Sequence, residues 1–333
     1  MRLGLNLGYW SDGDHADALA LAEEADRLGY AVCWAAEAYG SDAPTVLAFV
    51  AARTQRIGIG SGVMQIPART PAMTAMTAAT LDRLSGGRFR LGLGVSGPQV
   101  SEGWHGVRFD APLGRTREYV EIVRIALSRR PLTYSGTHWT LPLPDGPGKA
   151  LRLTARPVQD PIPVYLASVG PRNSRLTGEI ADGWLGIFFA PEHAAVALDP
   201  IREGRRAAGA GTADDPLAGF DVVATVPVVL GDDLAAAADQ LRPYVALYVG
   251  GMGSRTQNFY NELARRMGFT AEASRVQDLY LAGNPRDAAR AVPFDLIDTT
   301  SLIGPQERIR DRMYAYAQAG VTTLAVTPHA ASQ

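Results

Sequence analysis

Cysteine is almost missing from this chain of 333 residues, where Cys33 stands alone. That excludes an internal disulfide framework, a CxxC pair and a cysteine zinc site. A lone thiol suits a reducing compartment, so a cytoplasmic location is expected. Lysine occurs once, at Lys149, which reflects base composition more than chemistry. Neither sign of charge is in excess, because 32 Lys and Arg stand against 34 Asp and Glu for a net −2. Without a basic field, no nucleic acid and no anionic membrane is expected as a partner. No run approaches the ~20 apolar residues of a membrane span. Asp12 and Asp14 follow the first residues too closely for a secretory signal. What is abundant is apolar: 47% of residues are hydrophobic, enough for a large core and too much for a disordered or fibrous chain.

Short β-branched or aromatic runs alternate with Ala- and Leu-rich stretches of helical period. Arg2–Leu7 predicts a strand and 14–28 a helix, with Leu19, Ala22, Ala25 and Leu28 on one face and Gly29 as a left-handed cap. Tyr30–Ala36 predicts the second strand. Ser41-Asp42-Ala43-Pro44 supplies an N-cap and an early proline for a helix through Arg53, and Arg56–Gly62 is the third strand. Thr70-Pro71 opens the next helix, Gly86-Gly87 closes it, and Arg88–Val95 is the fourth strand. A helix over about Pro112–Arg129 precedes Tyr134–Arg156, which is rich in Pro and Gly and reads as a long loop with room for a hairpin. Strands return at Pro163–Ser168, Gly183–Phe188, Phe220–Leu230 and Val321–Thr327, with helices opened by Pro171 and Pro191. About eight strands, each followed by helical material, predict a (β/α)8 TIM barrel with insertions, as one domain over 1–333. Residues 233–319 read as a helical insertion, or extra helices, before the last strand. An open doubly wound sheet would put a GxGxxG turn after the first strand, and Leu7–Gly13 does not match it.

In such a barrel the reactive groups stand at the C-terminal ends of strands. That selects Asn6; Glu37 and Tyr39; Gly62 to Gln65; Ser96 to His105; and Ser168 to Ser174. Ala167-Ser168-Val169-Gly170-Pro171-Arg172-Asn173-Ser174 carries the clearest signal, a strand end, a glycine, and a helix start whose free amides and hydroxyls suit a phosphate. An ordinary capped helix is the plain alternative. Gly92-Leu93-Gly94-Val95-Ser96-Gly97-Pro98 would let a flat ring or phosphate approach backbone, or would simply form a tight turn. Glu37, after an apolar strand, suits proton transfer, with Tyr39 nearby; it equally suits pairing with an arginine or capping the next helix. Among the histidines only His105, beside Trp104 in a polar loop, stands where it could reach a substrate. No metal-ligand spacing and no Ser-His-Asp or Cys-His set is present.

Leu81-Asp82-Arg83-Leu84-Ser85-Gly86-Gly87-Arg88-Phe89-Arg90-Leu91-Gly92-Leu93-Gly94 resembles the hallmark of luciferase-like flavin monooxygenases and their deazaflavin-dependent relatives. Gly94 to Gly106, with Gln99 inside it, resembles the branch that uses coenzyme F420. So do Asn258-Phe259-Tyr260-Asn261, Gln277-Asp278-Leu279-Tyr280 and Val321-Thr322-Thr323-Leu324. The resemblance implies an enzyme that moves a hydride between the deazaflavin and a small organic substrate. It also implies a non-proline cis peptide at Gly62 and Val63 behind the ring, Ser96 and Gly97 along the ring or its side chain, and Ser168, Val169 and Gly170, with Asn173, at the phosphate. Asn6 and Gln99 join the cofactor set, and Glu37, Tyr39 and His105 the catalytic one. Several deazaflavin dehydrogenases carry His after the acid of strand two, where this chain has Ala38, and their next Glu follows the strand-four glycines sooner than Glu102 does. Reduction of a C=C or C=N bond is therefore the expected reaction. An FMN-dependent two-component monooxygenase and a non-catalytic flavin-binding relative are the alternatives. A homodimer is expected, with helices of 233–319 as the surface.

Overall fold

The computed structural model describes residues 1–8 and 15–329, so most of Leu7–Gly13 and the expected helix start at Asp14 lie outside the described residues. The chain packs as two compact units, one of residues 3–167 and 176–185, the other of 1–2, 168–175 and 186–333.

The first unit is built from β1 (Arg2–Asn6), α1 (His15–Arg27), β2 (Val32–Ala35), α2 (Ala43–Arg53), β3 (Gly58–Ser61), β4 (Met64–Gln65), α3 (Pro71–Leu84), β5 (Phe89–Gly94), α4 (Pro98–Gly103) and α5 (Pro112–Leu127). The antiparallel hairpin of β6 (Tyr134–Ser135) and β7 (Thr140–Leu141) follows, then β8 (Val164–Ala167) and most residues of β9 (Gly183–Ile187); the residues of α6 (Pro171–Ile180) are divided, 171–175 counting with the second unit. Strands β1, β2, β3, β5, β8 and β9 pair in that order, all parallel, with β4 also on β5. Parallel strands covered on both faces need apolar side chains throughout, and Val32, Cys33, Trp34 and Ala35 are all buried. Burial pushes the Cys33 thiol up to about 12, so it stays protonated. Gly29 ends α1 with φ of +79°, a conformation that costs a side chain about 1 kcal/mol or more.

The second unit holds α7 (Ala194–Ala207), β10 (Asp221–Leu230), α8 (Leu234–Ala246), α9 (Phe259–Arg266), α10 (Thr270–Leu281), α11 (Pro285–Ala291), α12 (Phe294–Thr300), β11 (Leu302–Gly304), α13 (Gln306–Gln318) and β12 (Thr323–Pro328). Strand β10 pairs in parallel with both β11 and β12. Strand β11 is an addition to the expected list: three apolar residues inside the helical stretch 233–319 carry too little alternation to be read as a strand. Helix α8 continues into one π-helical turn, Leu247–Gly251. The succession of parallel strands and helices is the (β/α)8 TIM barrel expected from the sequence. No helix among the described residues is long and apolar enough to cross a membrane.

The hallmark stretch owes its residues to folding. Asp82 is fully buried, and its carboxylate accepts from the backbone amides of Val158 (2.6 Å) and Gln159 (2.9 Å) and from Gln159 Nε2 (2.6 Å). Arg88 donates to the carbonyls of Ser85 (2.6 Å), Thr54 (3.0 Å) and Ala51 (3.2 Å), giving partners to carbonyls at the C-terminal ends of α3 and α2. Burial lowers its basicity. Replacement of Asp82 by Ala would leave three donors without an acceptor, which predicts a loss of about 3 kcal/mol or more. Urea unfolding of Asp82→Ala tests this, and a loss below about 1 kcal/mol would show that water replaces the carboxylate.

Candidate functional site

The ends of β2, β3, β4 and β5 in the first unit meet around one carboxylate. Glu37 has a side chain only 4% exposed. Its Oε1 accepts from Arg69 Nη2 (2.7 Å) and the Ala43 amide (3.1 Å), its Oε2 from Arg69 Nη1 (2.8 Å) and the Gln65 amide (3.1 Å). This is a bidentate arginine pair completed by the first amide of α2 and the second residue of β4. Burial opposes the charge on Arg69, but Glu37 and Asp42 more than offset it, so the guanidinium is held above its ordinary value. Arg69 also donates to Asp42, the N-cap of α2, which accepts from the Thr45 amide at 2.9 Å.

The Glu37 backbone belongs to the same assembly. Its amide donates to the Val63 carbonyl (3.2 Å), and the Gly62 amide donates to the Ala35 carbonyl (2.7 Å). The peptide between Gly62 and Val63 is cis, as the family resemblance implies. Gln65 links onward, donating through Nε2 to the Ala38 carbonyl (2.7 Å) and accepting at Oε1 from Ser96 Oγ (2.8 Å). Ser96 has φ of +61°. This left-handed backbone is uncommon outside glycine, and it turns the chain out of β5.

The glycines of β5 have a different task from the one read in the sequence. A Cβ on Gly92 would lie 1.8 Å from the Ser61 carbonyl oxygen, and one on Gly94 2.6 Å from Val63 Cγ2. Their missing side chains make room for the chain's own β3 and for Val63, so they are not openings for a ligand. Gly97 is open, since the nearest atom to an added Cβ is Gln99 Oε1 at 3.7 Å. Gly97 caps α4, on which Gln99 is exposed. Asn6, at the end of β1, accepts from the Gly8 amide (3.1 Å).

Of the three expected catalytic residues, only Glu37 lies in this network. Tyr39 is 60% exposed. The His105 amide donates to the Val100 carbonyl (3.1 Å), and its buried Nε2 has no hydrogen-bond partner among the described residues. Arg69 escaped the sequence reading because it stands beyond the short turn Ile66–Ala68, outside the strand-end positions. Asp42 was visible only as a helix cap.

The second unit holds the other cluster. Ser168 and Ser174 are buried, with their hydroxyls 3.2 Å apart, and the Ser174 amide donates to the Gly170 carbonyl (2.9 Å) at the start of α6. A Cβ on Gly170 would meet nothing within 4 Å. Backbone here is open to a group outside the chain, beside two hydroxyls and the amide end of a helix, which suits a phosphate. Arg266 from α9 donates to the Val169 carbonyl (2.9 Å), and burial lowers its basicity. Val169 packs against an aromatic cluster in which Phe188 stacks on Tyr244 (5.5 Å) and meets Tyr248 and Tyr260 edge-on.

The motif residues Asn258 and Asn261 serve the π-helical turn that carries Tyr248. Asn258 Nδ2 donates to the carbonyls of Tyr248 (3.0 Å) and Val249 (3.1 Å), and Asn261 Nδ2 to those of Val249 (3.0 Å) and Ala273 (2.8 Å). Tyr280 occupies the space a Cβ on Gly250 or Gly251 would need, at 2.6 and 2.4 Å. Phe188, with φ of +53°, and Arg266 left no sequence signal, because backbone conformation and helix-to-loop contacts have no local pattern.

The sequence pattern of the luciferase-like monooxygenase family matches residues 6–323. A Mycobacterium tuberculosis protein named, provisionally, as a coenzyme F420-dependent oxidoreductase is 44% identical over an alignment covering 100% of this chain and 96% of its own. The 5,10-methylenetetrahydromethanopterin reductase of Archaeoglobus fulgidus is 28% identical, over 90% of this chain and 86% of the relative. Among solved structures, the coenzyme F420-dependent tetrahydromethanopterin reductase of Methanopyrus kandleri superposes with a TM-score of 0.81 at 26% identity, covering 98% of this chain and 92% of that one. A match that spans nearly all of the sequence, joined to the same barrel, places this chain in the luciferase-like monooxygenase family.

Proposed function

We propose that the protein is a cytoplasmic F420-dependent oxidoreductase that transfers a hydride between the deazaflavin and a small organic substrate, with reduction of an activated C=C or C=N bond as the favoured direction. The observation that carries this reading is the full-length likeness to the mycobacterial F420-dependent relative. When bound, the deazaflavin supplies a carbon that gives or accepts hydride. We assign Asn6, Gly62, Val63, Ser96, Gly97 and Gln99 to holding its ring system and side chain, and Ser168, Val169, Gly170 and Asn173 to holding its phosphate.

Glu37 is proposed to position rather than to transfer a proton. All its acceptor directions are filled by Arg69, Ala43 and Gln65, so a proton could reach it only after an ion pair breaks. Proton handling is left to Tyr39 and His105. Glu37→Gln would leave the largely buried Arg69 guanidinium with Asp42 as its remaining charge partner, with an expected loss of about 2 to 3 kcal/mol of stability. Thermal unfolding with and without cofactor reads this; a variant as stable as the parent would show that Arg69 does not depend on Glu37.

Titration of purified protein with reduced F420 and, separately, reduced FMN distinguishes the deazaflavin reading from the monooxygenase one. Binding of F420 in the micromolar range, with FMN much weaker, is expected; FMN binding alone would remove the deazaflavin. In the same assay Ser168→Ala should weaken F420 modestly, whereas Gly170→Val fills the open backbone and should weaken it severely. Equal affinity across the three proteins would move the phosphate elsewhere.

A homodimer is also proposed, with its surface on α2 and α3 in place of the 233–319 helices. Phe49, Met73 and Met76 are 50, 49 and 51% exposed there, and between Ala43 and Ala52, and between Pro71 and Leu81, neither helix carries a charged residue. So apolar an outer face on a surface helix marks an interface. Sedimentation should give a dimer that Phe49→Asp with Met76→Asp converts to monomer; an unchanged dimer would place the contact elsewhere.

A further inference from the structure

One cavity shares only Arg69 with the clusters described above. About 300 Å³ in volume, it lies in the first unit against the Ile66–Ala68 turn, the Val107–Asp110 segment, the start of α5 and the long loop that carries Trp139. Ile66, Pro67, Phe109 and Trp139 give it an apolar body. Val95 is in its wall, one residue before the Ser96 that bonds Gln65, so the cavity adjoins the strand-end network.

Beside the hydroxyls of Thr70, Ser101 and Thr116, its charged groups are mostly of one sign. Three arginines, Arg69, Arg108 and Arg115, line it against one acid, Asp110. Arg69 is engaged by Glu37 and Asp42, and Arg115 by Asp110 at 2.9 Å. Among the described residues Arg108 has only Glu102 as an ion-pair partner, at 4.0 Å, and its side chain is 86% exposed. The cavity therefore has one cation whose charge is not closely matched. Trp139 also keeps its indole N–H buried with no acceptor among the described residues, a donor that native proteins seldom leave unused. Tyr119, buried behind it, meets the Trp139 ring edge-on at 6.2 Å and is fixed by Thr74 at 2.6 Å, so that wall is rigid.

We propose that this cavity binds an apolar carboxylic acid, its hydrocarbon or aryl body against Trp139, Phe109 and Ile66 and its carboxylate toward Arg108. An uncharged apolar ligand would forgo the attraction of the Arg108 guanidinium, and a small inorganic anion would leave the apolar body unfilled. As an assignment of substrate class it rests on the oxidoreductase reading; as a binding site it does not.

Calorimetric titration of the full chain with phenylacetate, cinnamate and octanoate, each beside its amide, tests the proposal. At least one acid should bind tenfold or more tightly than its amide. Arg108→Gln should erase that preference, and Val107→Trp, which replaces an exposed side chain on the rim, should lower the affinity for acid and amide alike at an unchanged melting temperature. No acid binding, equal affinity for acid and amide, or an unaltered Arg108→Gln preference overturns it. F420 titrated on the same preparations separates the two readings. Cofactor binding without acid binding defeats this inference alone, and acid binding without cofactor binding defeats the cofactor reading alone.

Discussion

A single ion pair organises the strand ends of the first unit. Glu37 ends β2, Arg69 precedes α3, and the carboxylate between them also takes an amide from α2 and one from β4. Two stretches of sequence, 37–43 and 65–69, are thus tied to one pair of oxygens, in a setting where losing Arg69 strands the buried carboxylate. The Val63 and Gln65 positions inherit their order from it: one accepts from the Glu37 amide, the other donates its own amide to the carboxylate and passes the chain of bonds to Ser96. Because the guanidinium is planar and forked, it fixes the carboxylate plane as well as its distance, which a lysine could not do.

The second unit reaches order by different means. Its cluster relies on side-chain amides that satisfy carbonyls freed by a π-helical turn, and on aromatic rings packed edge to face. Irregular helix normally costs hydrogen bonds, and Asn258 and Asn261 restore them at the place where the turn presents Tyr248. Charge enters sparingly, through Arg266 on the Val169 carbonyl.

Much of this was open to reading in one dimension. The barrel strands appear within a residue or two of where alternating apolar runs and helix caps put them, because a parallel strand must be apolar and a helix start must satisfy its amides whatever surrounds it. Asp42 and Thr70 cap their helices as their positions suggest. The failures share a cause. Gly92 and Gly94 are small because Ser61 and Val63 crowd them, a fact that lies in the packing of one strand on another. Glu37 suits proton transfer and arginine pairing equally by its position, and only the fold reveals the pairing, with Arg69 as the partner. Strand β11 is too short to carry a period, and the π turn has no residue code of its own.

Asp82 sits apart from both clusters, yet it lies in the very stretch by which the family is recognised. Its carboxylate joins the end of α3 to the segment at Val158 and Gln159. In this chain the motif thus serves assembly, closing the turn through Asp82 and apart from the residues proposed to meet a redox carrier. Damage there would weaken the fold while leaving the chemical groups of both clusters in the sequence.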